Sequence, residues 1–314
     1  MKAIVMTRFG GPDVLRWVER AEPRPRAHEL LVRVVATSVN LVDCSIRRGE
    51  QAVALPAIIG YDVSGVVETV GTEVQDFVPG DEVYYMAEMF SSDGSYAEYH
   101  VAAERIVARK PRNLSHVEAA GIPLAASSAW EALIVRAGLR AGETVLILGA
   151  SDTALFGIQI ARAAGAQVYV VCPPEAAALA RQLGASRTID LHEDLLAVVQ
   201  IESADAAVEV VFDTIDGTNL RRIIQAIKAH GRIASTVAAG TGLEHGLARN
   251  ITHHSVSVEA DRGRLDSICA LIQRGQIVPV IDSVLTLRDA ATAHRMLEVG
   301  GVFGKVILCS MAAA

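Results

Sequence analysis

Polar side chains follow an extended, Val-rich segment near the start of the chain. Asn40 and Asp43 come shortly after the segment 29–36. At the end of a strand, an amide can orient a carbonyl group through its N–H donors, and a carboxylate can orient a hydroxyl group by accepting its hydrogen bond. The same residue types also satisfy backbone groups in ordinary turns. Both interpretations of Asn40 and Asp43 remain open.

A second candidate site is the turn that reads Gly149-Ala-Ser-Asp-Thr-Ala-Leu-Phe-Gly157. It follows an apolar strand at 144–148 and precedes a helical pattern, so its backbone amides lie at a helix N-terminus, where anions bind. Ser151 or Asp152 is also a suitable N-cap, whose side chain would accept hydrogen bonds from those amides. The turn therefore predicts either an anion site or a helix that caps itself.

The cysteines and histidines do not indicate a metal site. Four cysteines are spread along the chain without a CxxC pair: Cys44, Cys172, Cys269 and Cys309. This spacing predicts free thiols in a reducing compartment. The adjacent His253 and His254 would point to opposite faces of an extended segment.

The elements that must position these residues are of two kinds. The first third has Val- and Ile-rich segments separated by Gly and Pro turns, which predicts a β-rich domain. From about Ala125, apolar strands alternate with Ala-rich helical stretches, the pattern of a parallel sheet. We expect strands at 144–148, 167–171, 208–212 and 232–235, and helices at 156–164 and 175–183. The cleft between two such domains is the expected active site.

Length and charge limit the class of protein. A chain of 314 residues predicts two domains, and its formal net charge of −7 includes no basic block. Nucleic acid and anionic membranes are therefore not indicated as partners. Early charged residues and the lack of an apolar run of roughly 20 residues argue against a secretory signal and a membrane span. We expect a cytoplasmic protein that binds small molecules.

Short segments along the whole chain form an ordered set. They read Gly11-Pro-Asp-Val-Leu15, Ala36-Thr-Ser-Val-Asn-Leu-Val-Asp43, Gly60-Tyr-Asp-Val-Ser-Gly65, Pro79-Gly-Asp-Glu-Val83, Gly94-Ser-Tyr-Ala-Glu-Tyr99, Ser128-Ala-Trp130, Phe212-Asp-Thr214 and Gly304-Lys305. In this order they resemble the quinone oxidoreductase-like branch of the medium-chain dehydrogenase/reductase superfamily. The resemblance implies an α/β protein with an N-terminal GroES-like β-barrel domain and a Rossmann domain with a doubly wound parallel sheet.

The resemblance also implies where the domains begin and end. Residues 1–124 and 263–314 are expected to form the discontinuous GroES-like catalytic domain, because the strand at Lys305 resembles the family's terminal return. Residues 125–262 are expected to form the Rossmann dinucleotide-binding domain.

The resemblance assigns Asn40, Asp43 and Tyr61 to the catalytic site. Asn40 and Asp43 would face the nicotinamide, while Tyr61 would either stack on a quinone and donate a proton or form part of the wall. Zinc-dependent relatives have Cys at the position of Asn40 and a His-Glu pair at that of Tyr61-Asp62. Because a catalytic zinc needs three protein ligands, we expect no metal here.

The expected cofactor is NADPH, with NADH as the alternative. The resemblance implies that it is held by Ser128, Gly149, Ala150, Ser151, Asp152, Thr153, Ala154, Thr214 and Lys305. Ser128 takes the place of a family Thr at the start of the helix that enters the Rossmann domain.

Three segments depart from the family's cofactor site. The family turn resembles Gly-Ala-x-Gly-Gly-Val-Gly, whereas Asp152 and its neighbours here place side chains where the pyrophosphate would lie. Cys172-Pro-Pro-Glu175 lacks the Ser and Lys that relatives offer to a 2′-phosphate, which leaves Arg181 as either a phosphate ligand or a solvated residue. Asp216 replaces a frequent Gly.

Two hypotheses follow from the agreements and departures. The first is a zinc-independent reductase that transfers hydride from NADPH or NADH to a quinone or an α,β-unsaturated carbonyl compound. The second is a non-catalytic protein with weakened cofactor binding that serves as a binding or assembly module.

The resemblance further implies a homodimer formed edge to edge through the Rossmann sheets. Residues 251–258 are the expected edge strand. An exposed apolar edge favours pairing with a second chain.

Overall fold

The computed structural model describes residues 1–190, 208–215, 220–237 and 243–310. Asp216 lies outside these ranges. The chain divides into two compact units, Met1–Leu124 with Glu259–Ala314 and Ala125–Val258. The second segment of the first unit thus starts at Glu259, where the sequence predicted residue 263.

The two units contain strands and helices in a regular succession. The described strands are β1 (Lys2–Val5), β2 (Arg16–Glu19), β3 (Glu29–Val39), β4 (Asp62–Val70), β5 (Glu82–Met86), β6 (Tyr99–Ala103), β7 (Ala108–Arg109), β8 (Thr144–Leu148), β9 (Gln167–Val171), β10 (Arg187–Ile189), β11 (Val208–Asp213), β12 (Ile227–Ser235), β13 (Thr252–Ser255), β14 (Ile281–Thr286) and β15 (Lys305–Cys309). The described α-helices are α1 (Leu41–Arg48), α2 (His116–Ala120), α3 (Pro123–Trp130), α4 (Asp152–Ala163), α5 (Pro174–Leu183), α6 (Leu220–Gln225), α7 (Arg262–Gln273) and α8 (Ala290–Val299). In the ranges that are described, no helix is both long and apolar enough to cross a membrane.

The first unit is built on a mixed sheet with strand order β14-β15-β3-β4-β5-β7, in which β6 also pairs with β3. Strand β3 runs antiparallel to both β4 and β15, and Val39 at its end pairs with Val306. This register brings the end of β3 close to the beginnings of β4 and β15. Residues that flank these three strand ends therefore meet although they are far apart in the sequence.

The second unit is a sheet with strand order β10-β9-β8-β11-β12-β13, in which all neighbours are parallel. Its central strands, such as Val145 to Leu148 in β8, are buried throughout. A parallel sheet covered on both faces requires such continuous apolar runs. Gly157 lets helix α4 approach β11 closely, since a Cβ at this position would lie 2.7 Å from the Phe212 ring.

Several element boundaries differ from those predicted. Helix α4 begins at Asp152 rather than residue 156, because Ser151 caps it. Strand β12 begins at Ile227 rather than residue 232. Helix α3 starts at Pro123, so Ser128 lies well inside this helix and not at its start.

Candidate active site

A buried polar cluster forms where the ends of β3, β4 and β15 meet. Asn40 follows β3 and is the N-cap residue of α1, Asp62 is the first residue of β4, and Lys305 is the first residue of β15. The amide oxygen Oδ1 of Asn40 accepts a hydrogen bond of 2.6 Å from Lys305 Nζ. Its Nδ2 donates to Asp62 Oδ2 at 2.8 Å. The sheet register thus joins residues separated by up to 265 positions in the sequence.

Asp62 is the fully buried anion of this cluster. Its Oδ2 accepts a short hydrogen bond from Ser38 Oγ and lies 3.5 Å from Lys305 Nζ. Its Oδ1 accepts a 2.7 Å bond from the backbone amide of Leu124. Both carboxylate oxygens therefore have donors, as a buried charge requires. The sequence pointed to Asp62 only as a position that holds a zinc ligand in relatives.

Asp43 lies in the first turn of α1 and is also fully buried. Its Oδ2 accepts hydrogen bonds from the backbone amide of Asn40 at 2.8 Å and from Tyr96 Oη at 2.9 Å. Within the described residues, its Oδ1 has no hydrogen-bond partner. Burial raises the pKa of this carboxyl to about 7, against the lowering effect of the two hydrogen bonds. Asp43 can therefore carry a proton near neutral pH.

Tyr96, His294 and Cys44 extend this arrangement away from Asp43. Tyr96 Oη lies 3.2 Å from His294 Nε2, and His294 Nδ1 lies 3.3 Å from Cys44 Sγ. All three side chains are fully buried. Sequence reasoning missed this group: Tyr96 belongs to a family segment without being singled out, and no sequence signal connects His294 with Cys44.

Tyr61 lies in the hydrophobic core of the first unit. Its ring is completely buried, and its Oη accepts a 3.3 Å hydrogen bond from the amide of Phe90. Burial raises the pKa of this hydroxyl above its usual value. These features favour the interpretation of Tyr61 as a wall residue over that of a proton donor.

In the second unit, the turn after β8 joins the strand to α4. Gly149 has φ of 103°, and a Cβ there would lie 2.6 Å from Ile215 and 2.8 Å from Thr214 Oγ1. Thr214 Oγ1 donates to the carbonyl of Leu148 at 2.8 Å and accepts from Ser151 Oγ at 3.2 Å. The structure thus brings Gly149, Ala150, Ser151 and Thr214 together at the carboxyl ends of β8 and β11, where such sheets bind ligands.

The first turn of α4 caps itself. Ser151 Oγ accepts a hydrogen bond from the amide of Ala154 at 3.3 Å. Asp152 Oδ1 accepts one from the amide of Thr153 at 2.7 Å. Two amides that could bind a pyrophosphate therefore already have side-chain acceptors, as the sequence suggested for this turn.

The segment after β9 also contributes no cation to this site. Cys172 is buried, and Glu175 lies in the first turn of α5. Arg181 donates a 2.6 Å hydrogen bond to Thr188 Oγ1, a contact within the second unit. Ser128, the remaining predicted cofactor residue, is partly exposed on α3.

Two family models match the chain. The model for the alcohol dehydrogenase GroES-like domain covers residues 26–112, and that for zinc-binding dehydrogenase covers residues 183–308. Within the described part of the chain, no group of three or more His, Cys, Asp and Glu residues could hold a metal ion.

Known proteins resemble the chain over almost its full length. The NADPH-dependent alkenal/one oxidoreductase of Arabidopsis thaliana is 32% identical over 98% of this chain and 79% of its own length. The quinone oxidoreductase of Homo sapiens is 31% identical over 98% of this chain and 97% of its own. A solved NAD-dependent alcohol dehydrogenase superposes with a TM-score of 0.93 at 34% identity, covering 98% of this chain and 99% of that one.

The fold and these matches establish the class of protein. The chain belongs to the medium-chain dehydrogenase/reductase superfamily, with a GroES-like unit and a Rossmann unit. Within that superfamily it is a member of the quinone oxidoreductase-like branch.

Proposed function

We propose that this chain is a zinc-independent oxidoreductase that uses NADPH, or alternatively NADH, to reduce a quinone or an α,β-unsaturated carbonyl compound. The proposal is carried by the buried cluster in which Asn40, Asp62 and Lys305 hold an amide, a carboxylate and an ammonium group together. The reaction class is supported by the names of the human and Arabidopsis thaliana relatives.

The cofactor would be held mainly by the turn after β8. Gly149 and Ala150 form the turn, in which Gly149 packs closely against Thr214, and Ser151 to Ala154 supply the N-terminus of α4. When bound, a reduced nicotinamide supplies the hydride. The close approach of Gly149 to Thr214 fixes the shape of this turn, whereas the capped amides of Thr153 and Ala154 predict weaker pyrophosphate binding.

Asn40 is the residue that we assign to orienting the substrate carbonyl or the ribose of the cofactor. Its amide oxygen accepts a hydrogen bond from Lys305, and after the bond to Asp62 its amide nitrogen retains one hydrogen as a donor. The ammonium group of Lys305 polarises this amide and so strengthens its N–H groups as donors. Asp43 would hold a proton at Oδ1, while Tyr61 would contribute the wall of the site.

The groups around Asp62 do not suit zinc. Its two oxygens already accept bonds from Ser38, Asn40 and the amide of Leu124, and a lysine ammonium lies beside them. A catalytic zinc requires three ligands of the Cys, His or carboxylate type. Metal analysis of the purified protein after dialysis against a chelator should find no stoichiometric zinc, and zinc retained at one ion per chain would contradict this part of the proposal.

The capped first turn of α4 favours a second candidate function. The amides of Thr153 and Ala154 already donate hydrogen bonds to side chains, and the segment Cys172-Pro-Pro-Glu175 contains no cation. In this second function the chain keeps the fold but serves as a binding or assembly module without catalysis.

Cofactor binding and turnover distinguish these two functions. Calorimetry should give saturable binding of NADPH or NADH, and absorbance at the reduced nicotinamide band should fall when a quinone or an enone is added. Asn40→Ala should lower kcat while a surface control, Arg112→Ala, leaves it unchanged. A folded protein that binds neither dinucleotide would overturn the reductase proposal in favour of the non-catalytic one.

A further inference from the structure

Four side chains of the first unit form a continuous hydrogen-bonded row. Asp43 and Cys44 come from α1, His294 comes from α8, and Tyr96 lies between them. The row runs from Asp43 Oδ2 to Tyr96 Oη at 2.9 Å, to His294 Nε2 at 3.2 Å, and from His294 Nδ1 to Cys44 Sγ at 3.3 Å. The Tyr96 and His294 rings also meet edge to face, with centroids 5.9 Å apart.

The chemistry of the groups sets the direction of these bonds. Asp43 Oδ2 accepts a hydrogen bond from the backbone amide of Asn40, and the hydroxyl group of Tyr96 donates a second hydrogen bond to the same oxygen. The Tyr96 oxygen is then the acceptor for His294 Nε2–H, which leaves Nδ1 unprotonated as the acceptor for the Cys44 thiol. Burial lowers the pKa of His294 to about 3, consistent with a neutral ring that both donates and accepts.

The two oxygens of Asp43 are consequently not equivalent. Oδ2 accepts two hydrogen bonds, whereas Oδ1 has no partner among the described residues. Protonation at Oδ1 leaves both bonds to Oδ2 in place, while protonation at Oδ2 would break one of them. Cys44 at the far end is completely buried, so the row does not reach solvent and is not a path for protons from it.

We propose that Tyr96 and His294 are positioning residues, which keep Asp43 Oδ2 as a permanent acceptor and so assign the exchangeable proton of this carboxyl to Oδ1. The inference rests on the proposed function for its catalytic consequence. By holding Asp43 against the Asn40 amide, the row also fixes the residue whose side chain meets Asp62 and Lys305.

Other charged and titratable groups act on the row from the elements packed around it. Asp62 acts on both Asp43 and Tyr96, Lys305 acts on Asp43, and Cys44 acts on Tyr96. Asp43 in turn acts on Tyr61. Arg47 and Arg48 act on both His294 and Cys44, and Glu298 acts on Cys44. A variant that changes only a neutral hydroxyl or imidazole leaves all these charges in place. The effect of Tyr96 and His294 can therefore be separated from theirs.

The direct test is a carbon-13 NMR titration of protein labelled at aspartate carboxyl carbons, with Asp43→Asn used to assign the Asp43 signal. Tyr96→Phe removes one donor to the carboxylate, so the pKa of Asp43 should rise by about one unit. His294→Leu should raise it in the same direction, and His294→Gln, which retains an N–H donor, should restore most of the parent value.

Tyr85→Phe is the matched control. Tyr85 is another buried tyrosine that bonds a histidine, His100 at 2.9 Å, but it does not touch Asp43. It should leave the Asp43 titration unchanged. If Tyr96→Phe folds and the pKa of Asp43 is unchanged, the inference is overturned. If Tyr96→Phe does not fold, the two His294 variants decide, and an Asp43 pKa that is the same in His294→Leu as in His294→Gln overturns the inference.

Kinetics test the catalytic consequence separately. In Tyr96→Phe, the limb of the kcat/KM profile that reports Asp43 should move to higher pH by the same shift as the NMR signal, with KM for the cofactor unchanged. If the parent protein reduces no quinone or enone, the proposed function fails. The NMR titration still decides whether Tyr96 and His294 position Asp43.

Discussion

At the scale of single residues, the site depends on buried charges that are stabilised by specific partners. Asp62 and Lys305 are only 0% and 1% exposed, and Lys305 Nζ lies 3.5 Å from Asp62 Oδ2. Removing one member of a buried pair leaves the other charge without compensation, which costs more than the pair itself contributes. This asymmetry makes the pair testable by single and double substitution.

Lys305→Met should lower the free energy of unfolding by about 3 kcal/mol, because it leaves the Asp62 carboxylate buried without its cation. Urea unfolding followed by circular dichroism measures the change. Adding Asp62→Asn to the same protein removes the orphaned charge and should recover much of the loss. A single variant as stable as the parent would show that the ammonium group does not stabilise Asp62.

Asp43 should make stability depend on pH in the direction opposite to an ordinary paired carboxylate. Its pKa of about 7 in the folded protein lies above the unfolded value of about 3.9, so the folded state retains the proton between these values. The free energy of unfolding therefore falls as pH rises through this window, by up to about 1.4 kcal/mol per pH unit.

Asp43→Asn removes this term, and the variant should gain stability relative to the parent as pH rises from 5 to 8. Urea unfolding of both proteins at each pH gives the difference. The comparison cancels the opposite contributions of His100 and His294, whose pKa values are lowered by burial to about 4 and about 3. A difference that does not vary with pH would place the carboxyl's pKa at its usual value.

At the scale of elements, the N-terminus of α4 decides how strongly a dinucleotide can bind. A helix N-terminus attracts anions through its free amides and its dipole. Here the side chains of Ser151 and Asp152 accept hydrogen bonds from two of those amides, and Asp152 adds a negative charge in the same turn. The element therefore has the position of a phosphate site but side chains that compete with the phosphate.

Replacing both Asp152 and Thr153 by Gly should raise NADPH affinity by about tenfold or more, equivalent to at least roughly 1.4 kcal/mol. The change removes a carboxylate and the hydrogen bond that it accepts from the Thr153 amide. Calorimetry at two ionic strengths measures the NADPH affinity of both proteins. If charge repulsion contributes, the increase in affinity should be smaller at high salt.

Asp152→Asn is the matched control for charge, because it retains a side-chain acceptor. It should recover only the part of the gain that depends on salt. Equal affinities in the parent and the folded double variant would make Asp152 a surface cap without effect on the cofactor.

At the scale of the whole molecule, β13 leaves one edge of the second sheet without a neighbour among the described strands. This strand is the short, polar Thr252–Ser255 rather than the longer apolar segment expected at 251–258, so its backbone and not its side chains would provide most of the pairing energy. The Nε2 atom of His253 is buried there without a hydrogen-bond partner in the described part of the chain.

We propose that two chains pair through this edge as a homodimer, as the resemblance implies. Light scattering at micromolar concentration should give about twice the chain mass of 33.3 kDa. Ser255→Pro should weaken the dimer. The backbone N–H of Val256 donates to Ser235 of β12, so in the alternation along the strand the N–H of residue 255 faces away from β12, and proline removes this outward donor. Leu247→Ala, on an exposed site outside β13, should not weaken it. A parent particle of one chain mass would contradict the proposal.

The sequence determined the features that local physics controls. Continuous apolar runs specify buried parallel strands, and the structure confirms β8 and β9 at the predicted residues. Ser151 is confirmed as an N-cap, since capping depends on residues only three positions apart. The ordered motifs also identified the fold and family, which the comparisons confirm.

Only the tertiary structure decided which distant side chains meet. Lys305 reaches Asn40 because β15 pairs with β3, and His294 reaches Cys44 across 250 positions of sequence. Contacts of this kind depend on sheet register and helix packing, which no local pattern specifies. Burial likewise set the pKa of Asp43 and placed Tyr61 in the core, since desolvation depends on everything packed around a group.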